Sequence, residues 1–159
     1  MNKKTFNAQR STLNVQCDRI LENEGGYRAR NAQNVNGKNL KAPQFDLEDR
    51  LLEFTARLTK LIDALPTSRA GNHVAGQLLR CGTSPFAHHG EVQAAESRKD
   101  FIHKLGVCLK ELKETKRWLR LIGRVELIPL PRLRPLLIEI EELIRIFSAS
   151  IRTAEKNSK

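Results

Sequence analysis

The amino-acid sequence predicts an all-α protein, an up-down-up-down four-helix bundle, and three observations carry that expectation. Four stretches between Asp46 and Ile151 repeat apolar residues at alternating steps of four and three, the period of one helix face. No stretch alternates apolar and polar residues as a strand does, and aromatic residues make up only 5% of the chain, which favours aliphatic helix packing over a β-sandwich. The links between the four stretches are short and marked by Pro, Gly or Ser. Amphipathic helices so joined bury all their apolar stripes together by packing antiparallel to their neighbours.

The first helix is expected to start at Asp46, a good N-cap, with Glu48 and Asp49 in the first turn where the helix dipole favours negative charge. Leu47, Leu51, Phe54, Leu58, Leu61 and Leu65 form its apolar row, and Pro66 stops it. The second starts at Ser68, with Val74, Leu78 and Cys81 facing inward and Leu79 beside them. Pro85 removes a backbone donor and clashes with the preceding turn, so a kink or a break is expected there, with Gly82 and Gly90 loosening the backbone on either side. Residues 91–96 then resume a turn or two. Ser97 with Asp100 three residues on resembles a capping box and places the start of the third helix, which is expected to run to about Ile122 with Gly123 as its C-cap. The proline-rich stretch VELIPLPRLRP reads as a connection. In the fourth helix Leu133, Leu137, Ile140, Ile144, Phe147 and Ile151 repeat the stepping, Pro135 is acceptable in a first turn, and Glu139, Glu141 and Glu142 lie early, as the dipole prefers.

The bundle therefore occupies residues 45–153, a length that suits one domain with its own core. Residues 154–159 form a tail that frays. Residues 1–44 are rich in Asn, Gln, Gly and Lys and hold eight Lys/Arg against three Asp/Glu. Their composition is that of a basic disordered extension, with one short helical possibility from Thr12 to Glu24; it is also that of sequence read through from upstream of the true start. No run approaches the roughly 20 apolar residues needed to span a bilayer. Lys3 and Lys4 are followed by no apolar core of a signal peptide, which predicts a cytoplasmic protein without a membrane partner. Cys17, Cys81 and Cys108 are odd in number and lack metal-type spacing, as expected of reduced thiols.

The third helix carries the best functional feature. Its apolar row is Phe101, Leu105, Cys108, Leu112, Thr115, Leu119 and Ile122. A second row, Lys99, His103, Lys110, Lys113, Arg117, Arg120 and Arg124, follows the same steps, broken only at Gly106, and points in roughly the opposite direction at about 100° per residue. One face is built for burial and the other presents positive charge. With a net charge of +10, that suits a polyanion such as nucleic acid, or an acidic protein surface. Glu111 and Glu114 flank the row, where pairing at steps of three and four would neutralise part of it. Lys99, Lys110, Lys113, Arg117, Arg120 and Arg124 are the candidate nucleic-acid-binding residues, contacting phosphates without reading sequence. No aromatic residue is interleaved for base stacking, and Trp118, beside the apolar row, is expected to pack in the bundle or a subunit interface.

Other chemistries find little support. His73, His88, His89 and His103 include no HxxxH pair and have no cysteine in ligand spacing, so no metal and no cofactor is expected. His88 and Glu91 could pair for acid–base work with Ser84 as a nucleophile, but no orienting group accompanies them, and structural pairing is the better reading.

QLLRCGTS (Gln77 to Ser84), Glu91, and QAAESRKDFIHKLGVCLKELKETKRWLRLI (Gln93 to Ile122) resemble a small bacterial four-helix-bundle family. It includes proteins encoded in intervening sequences of large-subunit ribosomal RNA genes and is related to the accessory variability determinant of diversity-generating retroelements. Where family members read G-A-N-Y-R-E-A, this chain has Phe86 to Val92 and matches only at Ala87 and Glu91; Pro85 replaces a common Val or Ile. The resemblance implies a cytoplasmic, non-enzymatic bundle that assembles as a ring, a homopentamer, and in the retroelement relatives binds nucleic acid and a reverse transcriptase through basic surfaces. The function expected is thus a non-enzymatic oligomer that binds RNA or DNA backbone, as an accessory to a reverse transcriptase or to ribosomal RNA. The alternative is a protein–protein interaction scaffold with no nucleic-acid role.

Overall fold

The structure, a computed structural model, describes residues 47–156. The extension 1–44, the short helix expected within it, the N-cap Asp46 and the last three residues lie outside the described residues. Four helices follow in order, with no strand among the described residues: α1 (Leu47–Asp63), α2 (Arg69–Gln93), α3 (Arg98–Arg124) and α4 (Leu130–Lys156).

Each consecutive pair runs antiparallel. Glu48 at the start of α1 accepts a hydrogen bond from Gln93 at the end of α2 (3.2 Å), and Gly82 of α2 abuts Leu58 near the end of α1. Arg80 of α2 meets Glu114 of α3 (2.5 Å), while Pro85 lies level with Cys108. Lys116 of α3 pairs with Glu141 of α4 (2.6 Å), and Gly123 lies against Leu133. Arg50 of α1 reaches Glu139 of α4 (2.8 Å), and His89 of α2 meets Phe147 of α4 edge to face.

The core is aliphatic, as the composition requires. The α3 row of Phe101, Leu105, Cys108, Leu112, Thr115, Leu119 and Ile122 is buried throughout, and Leu105, Leu112 and Leu119 are 0% exposed. Val74, Leu78 and Cys81 of α2 and Leu51, Phe54, Leu58 and Leu61 of α1 are buried as well. Thr115 is tolerated there because its hydroxyl donates to the Glu111 carbonyl one turn back (2.8 Å).

The helix ends follow local chemistry, with several departures from expectation. α1 ends at Asp63, before the proline, because its last turn tightens: the Ala64 and Leu65 amides bond to Leu61 and Ile62 carbonyls three residues back. Leu65 is consequently only half-buried. Ser68 caps α2 by accepting from the Gly71 amide (3.0 Å). Gly71 has to be glycine, since a Cβ there would collide with the Pro66 carbonyl.

A break at Pro85 does not occur. α2 is one helix from Arg69 to Gln93 with Pro85 inside it. The proline forfeits one backbone bond, but Pro85 and its neighbours Cys81, Gly82, His89 and Val92 are buried, and the packing of that face sustains the helix across the gap.

Ser97 caps α3 as expected, accepting from the Asp100 amide (3.2 Å); the reciprocal arm differs, since Asp100 accepts from the Glu96 amide (3.1 Å) rather than from Ser97. At the other end the C-cap is Val125, not Gly123. Glu126 takes a positive φ of 55°, and the Leu127 amide bonds back to the Ile122 carbonyl (3.1 Å), a Schellman closure.

α4 begins at Leu130, inside the stretch expected to be a connection, so Pro135 lies past the first turn and that turn contains no acidic residue. The inward row is rotated from the expected one. Leu133, Ile140 and Phe147 are shared, but Leu136, Leu143, Ile146, Ser150 and Ala154 complete the buried face, and Leu137, Ile144 and Ile151 are only half-buried. α4 continues to Lys156, with Ala154 buried. No helix among the described residues is long and apolar enough to cross a membrane.

Candidate nucleic-acid interface

α3 holds nine Lys/Arg against three Asp/Glu. Because its apolar row is held inside the bundle, the opposite row is driven outward. Lys99, His103, Lys110, Lys113, Arg117, Arg120 and Arg124 are all exposed, as expected. At a rise of 1.5 Å per residue the row spans about 38 Å from Lys99 to Arg124.

The three carboxylates of α3 decide whether this face is positive in fact. Glu111 and Glu114 do not neutralise the row. Arg80, on α2, takes both: its guanidinium lies 2.5 Å from Glu114 Oε1 and 3.7 Å from Glu111 Oε2. The Trp118 indole N–H also points at Glu114 Oε1 (3.5 Å), with the ring edge-on to His73 at 5.9 Å. Trp118 thus closes the α2–α3 seam. Asp100 is bonded by Lys104 (2.8 Å), whose ammonium, together with the Glu96 amide, holds the Asp100 carboxyl below the usual range. Lys116, a half-buried cation of the helix, is matched by Glu141. Among the described residues Lys99, Lys110, Lys113, Arg117, Arg120 and Arg124 are in no ion pair. The acids of the helix are spent on other partners, and these six cations of the outer row are left without an acid partner among the described residues. Arg80 was not identifiable as the agent, because it lies 34 residues before Glu114 and only the helix register brings them together.

A protein-family model for the 23S rRNA-intervening sequence protein matches residues 45–149, which span all but the last turns of this bundle. The chain belongs to that family. A crystal structure of a protein of unknown function from the S23 ribosomal protein family of Bacteroides thetaiotaomicron VPI-5482 is similar, with 34% identity and a TM-score of 0.63 over 67% of this chain and 98% of the other. No curated protein matches the chain.

Residues 86–92 lie within α2. There His88 is half-buried with Nδ1 unbonded, Glu91 is exposed, and no hydrogen bond joins either of them to the other or to Ser84. The structure does not assemble the acid–base pair considered from the sequence. His89 is buried against Phe147. Among the described residues no three His, Cys, Asp or Glu side chains cluster to hold a metal. Cys81 and Cys108 are both buried; burial pushes the Cys81 thiol up and the Cys108 thiol up to about 12, so both stay protonated and unreactive at neutral pH.

Proposed function

We propose that the protein is a non-enzymatic, oligomeric bundle that binds the sugar-phosphate backbone of RNA or DNA through the outer face of α3, with Lys99, Lys110, Lys113, Arg117, Arg120 and Arg124 as the contacting residues. The observation that carries this reading is the row of exposed cations with no acid partner, on a helix whose own carboxylates are paired elsewhere. A solvated face of no function has no need of that segregation; mixed signs would keep it equally soluble. The family's description ties it to intervening sequences of 23S ribosomal RNA, which makes RNA the first ligand to try, and the role an accessory to an RNA or to a reverse transcriptase acting on one. Binding through phosphates alone is insensitive to sequence and falls steeply with salt. Titration of labelled RNA and DNA of mixed sequence at increasing salt tests it. Absence of binding at low salt, or binding indifferent to salt, rejects it in favour of a protein-interaction scaffold.

Self-assembly belongs to the same proposal. Leu137, Ile144 and Ile151 are half-buried on α4, and Ile138 beside them is 50% exposed, an apolar strip with nothing among the described residues to cover it. Copies of the same chain arranged as a ring, five by the resemblance, would cover it. Sedimentation velocity showing only monomer at micromolar concentration would end that part of the proposal.

A further inference from the structure

We propose that the phosphate-binding face does not stop at α3: Arg134 of α4 extends it across the α3–α4 seam, whereas Arg132, two residues earlier, takes no part. This rests on the reading of α3 as a nucleic-acid surface. Both arginines are exposed, and neither is in an ion pair among the described residues. What separates them is the side of α4 on which each stands.

The register is fixed by two contacts. Lys116 pairs with Glu141 at 2.6 Å, and one heptad further along α3 a Cβ on Gly123 would lie 3.2 Å from Leu133 Cδ1. In an antiparallel pair, one heptad forward on α3 corresponds to one heptad back on α4, and seven residues return a helix to nearly the same face. Arg134 is seven residues before Glu141, so it stands on the α3-facing flank of α4, level with Gly123. Gly123 has no side chain to intervene, and Arg120 and Arg124 flank it. The same step taken from the other flank gives the opposite result for Arg132. It is seven residues before Glu139, whose carboxylate bonds Arg50 of α1 (2.8 Å), so Arg132 belongs to the α1-facing side.

The cations at this end of the bundle therefore form two columns: Lys113, Arg117, Arg120 and Arg124 on α3, and Arg134 beside them on α4. Neighbouring packed helices stand about 8–10 Å apart, within reach of a single nucleic-acid backbone for side chains as long as arginine. The acid that would quench the second column, Glu141, is already held by Lys116.

The test measures affinity of the full chain for a labelled RNA duplex of mixed sequence across a salt series, for the wild type, Arg134→Gln, Arg132→Gln and the Arg117→Gln/Arg120→Gln/Arg124→Gln triple variant. Each phosphate contact contributes about 0.9 to the slope of log affinity against log salt. Arg134→Gln is expected to lower that slope by about 1, with Arg132→Gln matching the wild type; circular dichroism melts of the two should coincide, since both sites are exposed. A slope unchanged in Arg134→Gln while the triple variant loses about 3 removes Arg134 from the surface and leaves the α3 reading standing. Equal losses in both single variants reduce Arg134 to long-range charge and overturn the assignment. No salt-dependent binding by the wild type rejects the α3 reading and this inference with it.

Discussion

Replacing Arg117, Arg120 and Arg124 together by glutamine offers the sharpest test of the basic face. Six unpaired cations on α3 and Arg134 give seven phosphate contacts at most, a salt slope of about −6 for a duplex. Over a fourfold rise in salt, affinity should then fall by up to about 10⁴-fold. With three contacts removed the slope becomes about −4, and the same rise should cost about 10²-fold. The two titration curves therefore converge at high salt, where the lost contacts contribute little. Fluorescence anisotropy on labelled RNA reads both. The three side chains are exposed and in no ion pair among the described residues, so the thermal midpoint should stay within a few degrees of wild type. Parallel titration curves for variant and wild type would refute the reasoning even if affinity dropped, because a uniform loss signals a damaged fold rather than lost counterion release.

Three further outcomes follow from the packing and the caps. Leu112→Asp places a carboxylate at a position with 0% exposure, at a cost of at least about 4 kcal/mol, so a cooperative melt near the wild-type midpoint would contradict the core assignment. Glu126→Gly should stabilise by about 0.5–1 kcal/mol in denaturant titrations, since Glu126 sits at φ 55° where only glycine is unstrained. Asp100, whose carboxyl is held low by Lys104 and the Glu96 amide, contributes stability that is complete above its unfolded pKa of about 3.9 and is lost as pH falls through the lower folded value. Asp100→Asn should therefore be less stable than wild type at neutral pH and should show a flatter decline on acidification; identical acid titrations would remove Asp100 from that role.

The fold was legible because α3 states it twice, once as an apolar row and once as a cap: every predicted inward residue from Phe101 to Ile122 is buried, and Ser97 caps as expected. The misreadings share a cause. Along PRLRP, proline's local cost argues for a connection, and only the burial of Leu133, which tertiary contact supplies, keeps that stretch helical. On α4, adjacent apolar pairs (Leu136 and Leu137, Leu143 and Ile144) make two rows of equal period, and only the position of α3 decides which turns inward. The candidate site divides the same way. Its cations could be read from the spacing along one helix, but the pairing of Glu111 and Glu114 with Arg80, and the place of Arg134, depend on how neighbouring helices align.

Arg80 gives the bundle a lever far from any ligand. By keeping two carboxylates turned away, one side chain on α2 governs the electrical character of a surface it never touches. Exchanged for a neutral residue, it would leave Glu111 and Glu114 without a cationic partner and would weaken any pull that the outer face of α3 exerts on a polyanion. Any affinity of the outer face of α3 for a polyanion would then be open to adjustment from the neighbouring helix.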